Sequence, residues 1–237
     1  MRILVNGCSF SRGPISWPYY LTGLTDKSSS NVVNLACGGA GNTYIHDTTM
    51  RILEKEKFDL VLIMWSGIHR IDQQIELTEI NQIETTYSSK YQSSLNDWPE
   101  KIVDPFDDQT LVEKNWLFGC GVLNRETSSE LNSLFKEAYS TMGDEEFVNQ
   151  FIVKIIGLQN TLKQLAIPYA FSFYQDYVEQ INHSTLIDWD NCIINDNITN
   201  IAKRLNSYDE DGFHPGLEAN KQWANCVVKH LTQKNII

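Results

Sequence analysis

Three polar residues of this sequence have the types and the spacing that serine-based acyl transfer requires. Ser9 follows a glycine at the end of a short apolar run, and Asp211 and His214 lie three residues apart in a loop that contains Gly212. A serine nucleophile needs a base within reach and a group that orients this base. The spacing lets one turn present the Asp211 carboxylate to one imidazole nitrogen of His214 while the other nitrogen faces the serine. We therefore expect a Ser9–His214–Asp211 catalytic triad.

Acyl transfer also needs hydrogen-bond donors for the charge that develops on the carbonyl oxygen. The backbone N–H groups of Ser9 and Gly39 and the side chain of Asn42 are the natural donors. The glycine-rich stretch 38–41 could instead cradle a phosphate at a helix N-terminus. It lacks the dinucleotide-binding spacing and the Lys-Ser/Thr pair of a P-loop, so we favour the oxyanion role.

Other assignments of these residues are open. Ser9 could be a turn or helix N-cap serine, and Asp209 or Glu210 could compete with Asp211 for the imidazole. Cys8 could be the nucleophile, because a thiol with His and Asp is sound chemistry. Neighbouring side chains in an extended turn point in different directions, which leaves one of the pair facing the site. No His, Cys and Asp cluster has metal-ligand spacing, so we expect neither a metal nor another cofactor.

The elements that must position these residues are short apolar strands. Each run is nearly continuous and rich in β-branched or aromatic residues, which is typical of parallel strands covered on both faces. Helical patterns between the runs predict a doubly wound α/β layer, in which ligands bind beyond the carboxyl ends of the strands. The predicted strands are Ile3–Asn6, Val32–Ala36, Leu60–Trp65 and Tyr169–Phe173, and the predicted helices cover 43–57, 147–165 and 217–231.

The segment 72–143 breaks this alternation. It mixes Glu, Asn, Gln and Ser with scattered aromatic residues, and a structureless loop of that length is uncommon in one domain. We expect an inserted, partly helical subdomain at the functional edge of a single domain that spans 1–237. A peripheral decoration without a catalytic role is the alternative.

Together these segments resemble the SGNH (GDSL-type) hydrolase family. Gly7-Cys8-Ser9 resembles its first block, Gly-Asp-Ser, with Cys8 in place of the aspartate; 34–39 resembles the second block, and 211–214 matches the last, Asp-x-x-His. The resemblance implies a flavodoxin-like three-layer α/β/α fold. It also implies a serine esterase that acts on small acyl esters, including O-acetyl groups on carbohydrate, with Gly39 as an oxyanion donor.

The third block departs from the family. Where the family has Gly-x-Asn-Asp, with the asparagine donating to the oxyanion, this chain has Ser66-Gly67-Ile68-His69. His69 or Ser66 could substitute as the donor, or Asn42 could reach in from the second block. Alternatively the oxyanion hole is incomplete. A missing donor costs on the order of 10²–10³ in rate in well-studied enzymes.

Because the third-block asparagine is missing, a second function stays open: the protein could be a non-catalytic ligand-binding module on the same scaffold. Arg70 follows the altered block and could bind an anionic group of the substrate, or it could pair with a structural carboxylate such as Asp72. A flavodoxin-like nucleotide binder is a third alternative, which predicts a bound chromophore on purification.

Composition and charge exclude several partner classes. Lys and Arg number 19 against 30 Asp and Glu, a net charge of −11, so we expect neither a nucleic acid nor an anionic membrane surface as partner. No apolar run approaches the roughly 20 residues that cross a bilayer, and the N-terminus does not resemble a signal peptide. The odd number of dispersed cysteines favours reduced thiols and a cytoplasmic location; they are Cys8, Cys37, Cys120, Cys192 and Cys226. The oligomeric state stays open.

Overall fold

The computed structural model describes residues 1–13, 15–24, 31–74, 102–103, 116–119, 136–137 and 139–237. Its strands, in chain order, are β1 (Arg2–Asn6), β2 (Asn31–Asn34), β3 (Leu60–Trp65), β4 (Ile71–Gln74), β5 (Ile102–Val103), β6 (Trp116–Gly119), β7 (Tyr169–Phe173) and β8 (Cys192–Ile193). The helices are α1 (Trp17–Leu24), α2 (Asn42–Lys55), α3 (Asp144–Gln164), α4 (Val178–Ile181), α5 (Ile198–Leu205) and α6 (Leu217–Gln233).

The main sheet has six parallel strands in the order β5-β2-β1-β3-β7-β8. The chain leaves β1 to one side for β2 and returns to the other side for β3, so the topological switch point lies between β1 and β3. A crevice opens there beyond the carboxyl ends of the strands. The segments that leave β1 and β3 therefore border the place where a ligand is expected.

Helices cover the sheet in two groups. Helix α2 packs against α3, whereas α6 packs against α1 and α5. The central strands are buried along their whole length, as β3 and β7 show at every position, and this matches the nearly continuous apolar runs of the sequence. The predicted three-layer α/β/α sandwich with a parallel sheet is thereby confirmed.

Element boundaries differ from the prediction at a few places. Strand β2 ends at Asn34 rather than Ala36, because the Asn34 side chain accepts the Ala36 N–H at 3.0 Å and turns the chain. Helix α3 ends at Gln164, so Leu165, which continues the apolar pattern, lies outside the helix and is half exposed. The two-residue edge strands β5 and β8 were not predicted, since two residues carry no periodicity.

Most of the predicted insertion 72–143 lies outside the described residues, and its interpretation as one partly helical subdomain stays a prediction. Its described parts include β4, which pairs with β6 in an antiparallel two-stranded sheet. They also include β5, which extends the main sheet beside β2. Within the described part of the chain, no helix has the length and hydropathy that a membrane span would need.

Candidate active site

The turn after β1 carries Ser9 and is tied to helix α2. The Asn6 side chain accepts the Gly7 N–H at 2.8 Å, and its amide nitrogen donates to the hydroxyls of Thr48 and Thr49, each at 2.9 Å. All of these contacts are buried. Asn6 therefore fixes the start of the turn from which a short 3₁₀ segment, Ser9–Ser11, begins.

Gly7 is required by close packing at this turn. A Cβ atom there would lie 2.5 Å from the Ser11 hydroxyl oxygen and 3.1 Å from the Met64 carbonyl oxygen. Any side chain would push the turn away from β3, and Ser9 would move with it.

The loop before α6 holds Asp211 and His214 in one local arrangement. One Asp211 oxygen accepts the backbone N–H groups of Phe213 and His214, both at 2.8 Å. The Asp209 N–H donates to the His214 carbonyl at 2.8 Å, and Gly212 at φ 69° supplies the left-handed residue that the turn needs. The three-residue spacing thus makes a closed turn with the carboxylate facing its own imidazole.

Ser9, His214 and Asp211 are brought together as the sequence predicts. His214 Nε2 lies 2.8 Å from Ser9 Oγ, and Nδ1 of the same ring is hydrogen-bonded to the second Asp211 oxygen. Ser9 and His214 are 205 positions apart along the chain, so only the fold can have joined them.

Asp211 is ionised in this arrangement. Slight burial opposes the charge, but hydrogen bonds from the His214 side chain and from the backbone N–H groups of His214 and Phe213 outweigh it and lower the pKa of Asp211 to about 2. An ionised acceptor at Nδ1 fixes the tautomer that leaves Nε2 free to accept a proton from a serine.

Aromatic rings frame the imidazole. Phe10 is buried and its ring centroid lies 5.2 Å from that of His214, while Phe213 packs edge-on to the same imidazole at 5.3 Å. Tyr174 packs on the far side of Phe10 at 4.7 Å. Phe213 is 57% exposed and forms an apolar surface beside the serine. Phe10, Phe213 and Tyr174 were not predicted from the sequence, because no pattern marks them as neighbours of the site.

Cys8 is fully buried, and the imidazole contacts Ser9 instead of the thiol. The structure therefore favours Ser9 over Cys8 as the nucleophile. Within the described part of the chain, Cys8, Cys37, Cys192 and Cys226 form no disulfide bond, whereas Cys120 lies outside the described residues.

The second block lies beside the first. The Leu35 N–H donates to the Val5 carbonyl at 2.8 Å, and the Cys37 N–H donates to the Gly7 carbonyl at 3.2 Å. Gly39 then adopts a left-handed backbone at φ 82°, a conformation that favours glycine. The glycine-rich turn is thereby held next to the turn that carries Ser9.

Asn42 does not have the role expected of it. Its side-chain nitrogen donates to the carbonyls of Ser66 and Gly67 at 3.3 and 3.1 Å, and its side-chain oxygen accepts the Ser66 N–H at 2.8 Å. Both amide hydrogens are used, so none remains for an oxyanion. This corrects the expectation from the sequence: Asn42 ties helix α2 to the end of β3.

His69 and Ser66 are not placed as oxyanion donors either. His69 Nε2 lies 3.2 Å from the Asp144 carboxylate, and its ring packs against Phe147 in the first turn of α3. Among the described residues it makes no contact with the triad. Ser66 is completely buried, and its hydroxyl has no hydrogen-bond partner within the described part of the molecule. In the described part of the chain, neither side chain is hydrogen-bonded to the triad.

Arg70 lies against the second block. Its guanidinium donates to the Ala40 carbonyl at 3.0 Å and lies over the Tyr174 ring, 5.6 Å from its centroid. Because Tyr174 also packs on Phe10, Arg70 is linked through two rings to His214. A role in binding an anionic group of a substrate stays a prediction.

Asp72 has a position that the sequence did not predict. Its two carboxylate oxygens accept the Gly41 N–H at 2.8 Å and the Tyr44 N–H at 3.0 Å, so it caps the N-terminus of α2 from a different strand. Burial, the largest influence, raises the pKa of Asp72 to about 7, although both N–H groups, Arg70 and Lys154 oppose the rise. A cap that lies 31 residues beyond Gly41 leaves no local signal.

The triad lies at the surface rather than in a closed pocket. Side chains of His214 and Asp211 are 34% and 49% exposed. A cavity of about 80 Å³ lies instead between the start of α2, β4 and α3, where Arg70, Asp72 and Lys154 line it. Across the described ranges, no group of three or more His, Cys, Asp or Glu side chains could hold a metal ion.

No protein-family model matches the sequence, and no curated protein matches it. Solved structures do match. The psychrotrophic esterase EstA from a Pseudoalteromonas species, in a structure inhibited by monoethylphosphonate, covers 99% of this chain and 98% of its own with a TM-score of 0.52 and 12% identity. The chain shares the fold of this esterase.

Two further matching structures are acetyl xylan esterases. AlAXEase matches with a TM-score of 0.48 and 10% identity over 97% of this chain and 98% of its own. Axe2 from Geobacillus stearothermophilus matches with a TM-score of 0.47 and 10% identity over 97% of this chain and 94% of its own. At an identity of 12%, the likeness to EstA concerns the fold alone.

Proposed function

We propose that this protein is a serine esterase in which Ser9, His214 and Asp211 form the catalytic triad. The observation that supports it best is the 2.8 Å contact between Ser9 Oγ and His214 Nε2, with Asp211 hydrogen-bonded to the other ring nitrogen. The likeness of the fold to an esterase adds to this support. No metal or other cofactor takes part in the proposed reaction.

The reaction proceeds by acyl transfer through the serine. Ser9 Oγ attacks the ester carbonyl carbon while His214 Nε2 accepts its proton, and the imidazolium then gives that proton to the departing alkoxide. Water then attacks the acyl-serine while His214 Nε2 accepts its proton. The bond between the acyl carbon and Ser9 Oγ breaks, the carboxylic acid leaves, and His214 returns the proton to Ser9 Oγ. Asp211, ionised throughout the neutral range, orients the ring and stabilises the imidazolium.

The backbone is proposed to bind the oxyanion. The N–H groups of Ser9 and Gly39 are the donors in this proposal, since Asn42 and His69 contact other groups. An oxyanion hole without its side-chain amide predicts slow turnover, on the order of 10²–10³ below a complete one. A cytoplasmic location is consistent with this proposal but stays a prediction.

Small acyl esters are the proposed substrates, and O-acetyl carbohydrate is the class that the family resemblance favours. Exposed Phe213 packs against the His214 imidazole and offers an apolar surface there.

Hydrolysis of p-nitrophenyl acetate tests the proposal. The wild-type protein should turn over the ester, Ser9→Ala should abolish the catalysed rate, and Cys8→Ala should retain it within about threefold because the thiol does not contact the base. Loss of activity in Cys8→Ala with retention in Ser9→Ala would assign the nucleophile to the thiol.

The missing third-block donor favours one second candidate, a ligand-binding module without catalysis. That function predicts saturable binding of an O-acetylated saccharide that Ser9→Ala leaves unchanged, with no ester turnover by either protein. Turnover that depends on Ser9 excludes this alternative.

A further inference from the structure

The segment 66–72, which we call the clasp segment, holds the loop that carries Gly39 at three points. Its backbone at 66–67 is hydrogen-bonded to the Asn42 side chain. The Arg70 guanidinium donates to the Ala40 carbonyl, and the Asp72 carboxylate accepts two backbone N–H groups at the start of α2. This same segment contains the stretch 66–69 that departs from the family's third block.

Of the three contacts made by the clasp segment, the one made by Asp72 involves a buried, titratable carboxyl group. Only 8% of the residue is exposed, and each of its oxygens faces a backbone N–H. A Cβ atom on Gly41 would lie 2.7 and 2.8 Å from these two oxygens, so the carboxyl group and the loop are in direct contact. Gly39 lies two residues before Gly41 in the same loop.

Resting on the esterase function proposed above, we propose that Asp72 is a positioning residue. Its ionised carboxylate holds the Gly39–Gly41 turn in the geometry that binds the oxyanion, and turnover therefore increases as Asp72 loses its proton.

The proton matters because both oxygens are occupied as acceptors. A neutral carboxyl group carries a hydrogen on one oxygen, and that oxygen then faces an N–H as a poor acceptor. One of the two bonds to Gly41 and Tyr44 is weakened as a result. The carboxylate accepts both at full strength.

The surroundings of Asp72 bring its pKa close to neutral pH. Burial raises this pKa to about 7, although the two backbone N–H groups, Arg70 and Lys154 each act to lower it. Lys154 approaches from α3, and across the small sheet Asp72 pairs with Phe118 of β6, which has no titratable group. On α2, His46 and Asp47 contact each other, and Asp47 acts on Lys154.

The pH dependence of kcat with p-nitrophenyl acetate between pH 5 and 9 tests the role of Asp72. The kcat of the wild-type protein should fall more steeply toward acid pH than that of Asp72→Asn, because protonation of Asp72 weakens its bonds to Gly41 and Tyr44. Asp72→Asn should lack this additional fall and show a kcat about tenfold lower above pH 8, with a KM within about twofold. Asp188→Asn removes a carboxylate that also accepts several hydrogen bonds, from Tyr169 and Asn191, and should keep the wild-type limb.

The backbone amide NMR signals of Gly41 and Tyr44 supply a readout that needs neither catalysis nor an Asp72 variant. In Ser9→Ala protein, both should titrate with a midpoint near 7. Signals that stay constant from pH 5 to 9, or a wild-type acid limb that Asp72→Asn leaves unchanged, would overturn the proposal. Wild-type protein that titrates at these amides yet hydrolyses no ester would contradict the esterase function and leave the carboxylate–loop contact standing.

Discussion

Two aspartates border this site in opposite environments. Asp211 lies half exposed beside its histidine, and hydrogen bonds lower its pKa to about 2. Asp72 is buried under the second block, and burial raises its pKa to about 7. Both carboxylates accept two backbone N–H groups, at 2.8 Å for Asp211 and at 2.8 and 3.0 Å for Asp72. Asp72 differs by its deep burial, and Asp211 by an added hydrogen bond from the His214 side chain, so the two pKa values move in opposite directions.

The two aspartates also differ in how far along the chain their hydrogen-bond partners lie. Asp211 binds residues two and three positions further along the chain. Asp72 binds N–H groups that lie 31 and 28 positions earlier. One arrangement is a property of a short loop, and the other exists only after β4 has docked on α2.

Of the substitutions that test the difference between the two aspartates, Asp211→Asn should lower kcat/KM the most. An amide can present the wrong group to Nδ1 and disturb the tautomer, so kcat/KM should fall by about 10²–10⁴. Asp209→Asn is the matched control, because the Asp209 carboxylate accepts only the Glu210 N–H among its described partners. Equal losses in the two variants, measured with p-nitrophenyl acetate, would show that Asp211 is not the orienting carboxylate.

The pH dependence of stability should distinguish the buried aspartate from the exposed one. The folded-state pKa of Asp72 lies above its ordinary value of 3.8, so the folded state holds this proton when the unfolded state has lost it. The contribution of Asp72 to the free energy of unfolding therefore falls as pH rises from about 4 to 7, by up to about 4 kcal/mol.

Urea unfolding at pH 4 and pH 8 measures this contribution. The stability of Asp72→Asn relative to the wild-type protein should increase between the two values, since an amide stays neutral. A difference between the proteins that is the same at both values would mean that Asp72 does not titrate in this range.

Gly41→Ala should test the close contact between Asp72 and the loop, because the added methyl group forces the two apart. The added Cβ atom would meet the Asp72 carboxylate at 2.7 Å and Arg70 Cβ at 2.8 Å, so we expect a loss of about 1–3 kcal/mol in the free energy of unfolding. Gly143→Ala is the control at another helix start, where nothing lies within 4 Å of the new Cβ. Equal urea midpoints for these two variants would contradict the close approach.

His69→Ala should have the smallest effect. Its ring contacts Asp144 and Phe147 rather than the triad, so kcat/KM should stay within about twofold of wild type. A fall of about 10² or more, the scale of a lost oxyanion donor, would restore His69 to the role that the sequence predicted.

The local and the long-range parts of the site differ in how far the sequence predicts them. The strands that precede Ser9 and His69, and the Asp-x-x-His turn, follow from apolar runs and a three-residue spacing, and the structure shows both. The bonds of Asn42 to 66–67 and the cap from Asp72 depend on strand order and docking. Glycine-rich spacing predicts a turn near Gly39, but no pattern in the chain states which side chain will fill the space beneath it.

Covalent labelling with a fluorophosphonate probe tests the central claim most directly, because only an activated serine reacts quickly with it. We predict that the wild-type protein is labelled on the peptide that contains Ser9, and that labelling is lost in Ser9→Ala and strongly reduced in His214→Ala. An unlabelled wild-type protein, or equal labelling of Ser9→Ala, would contradict the esterase assignment.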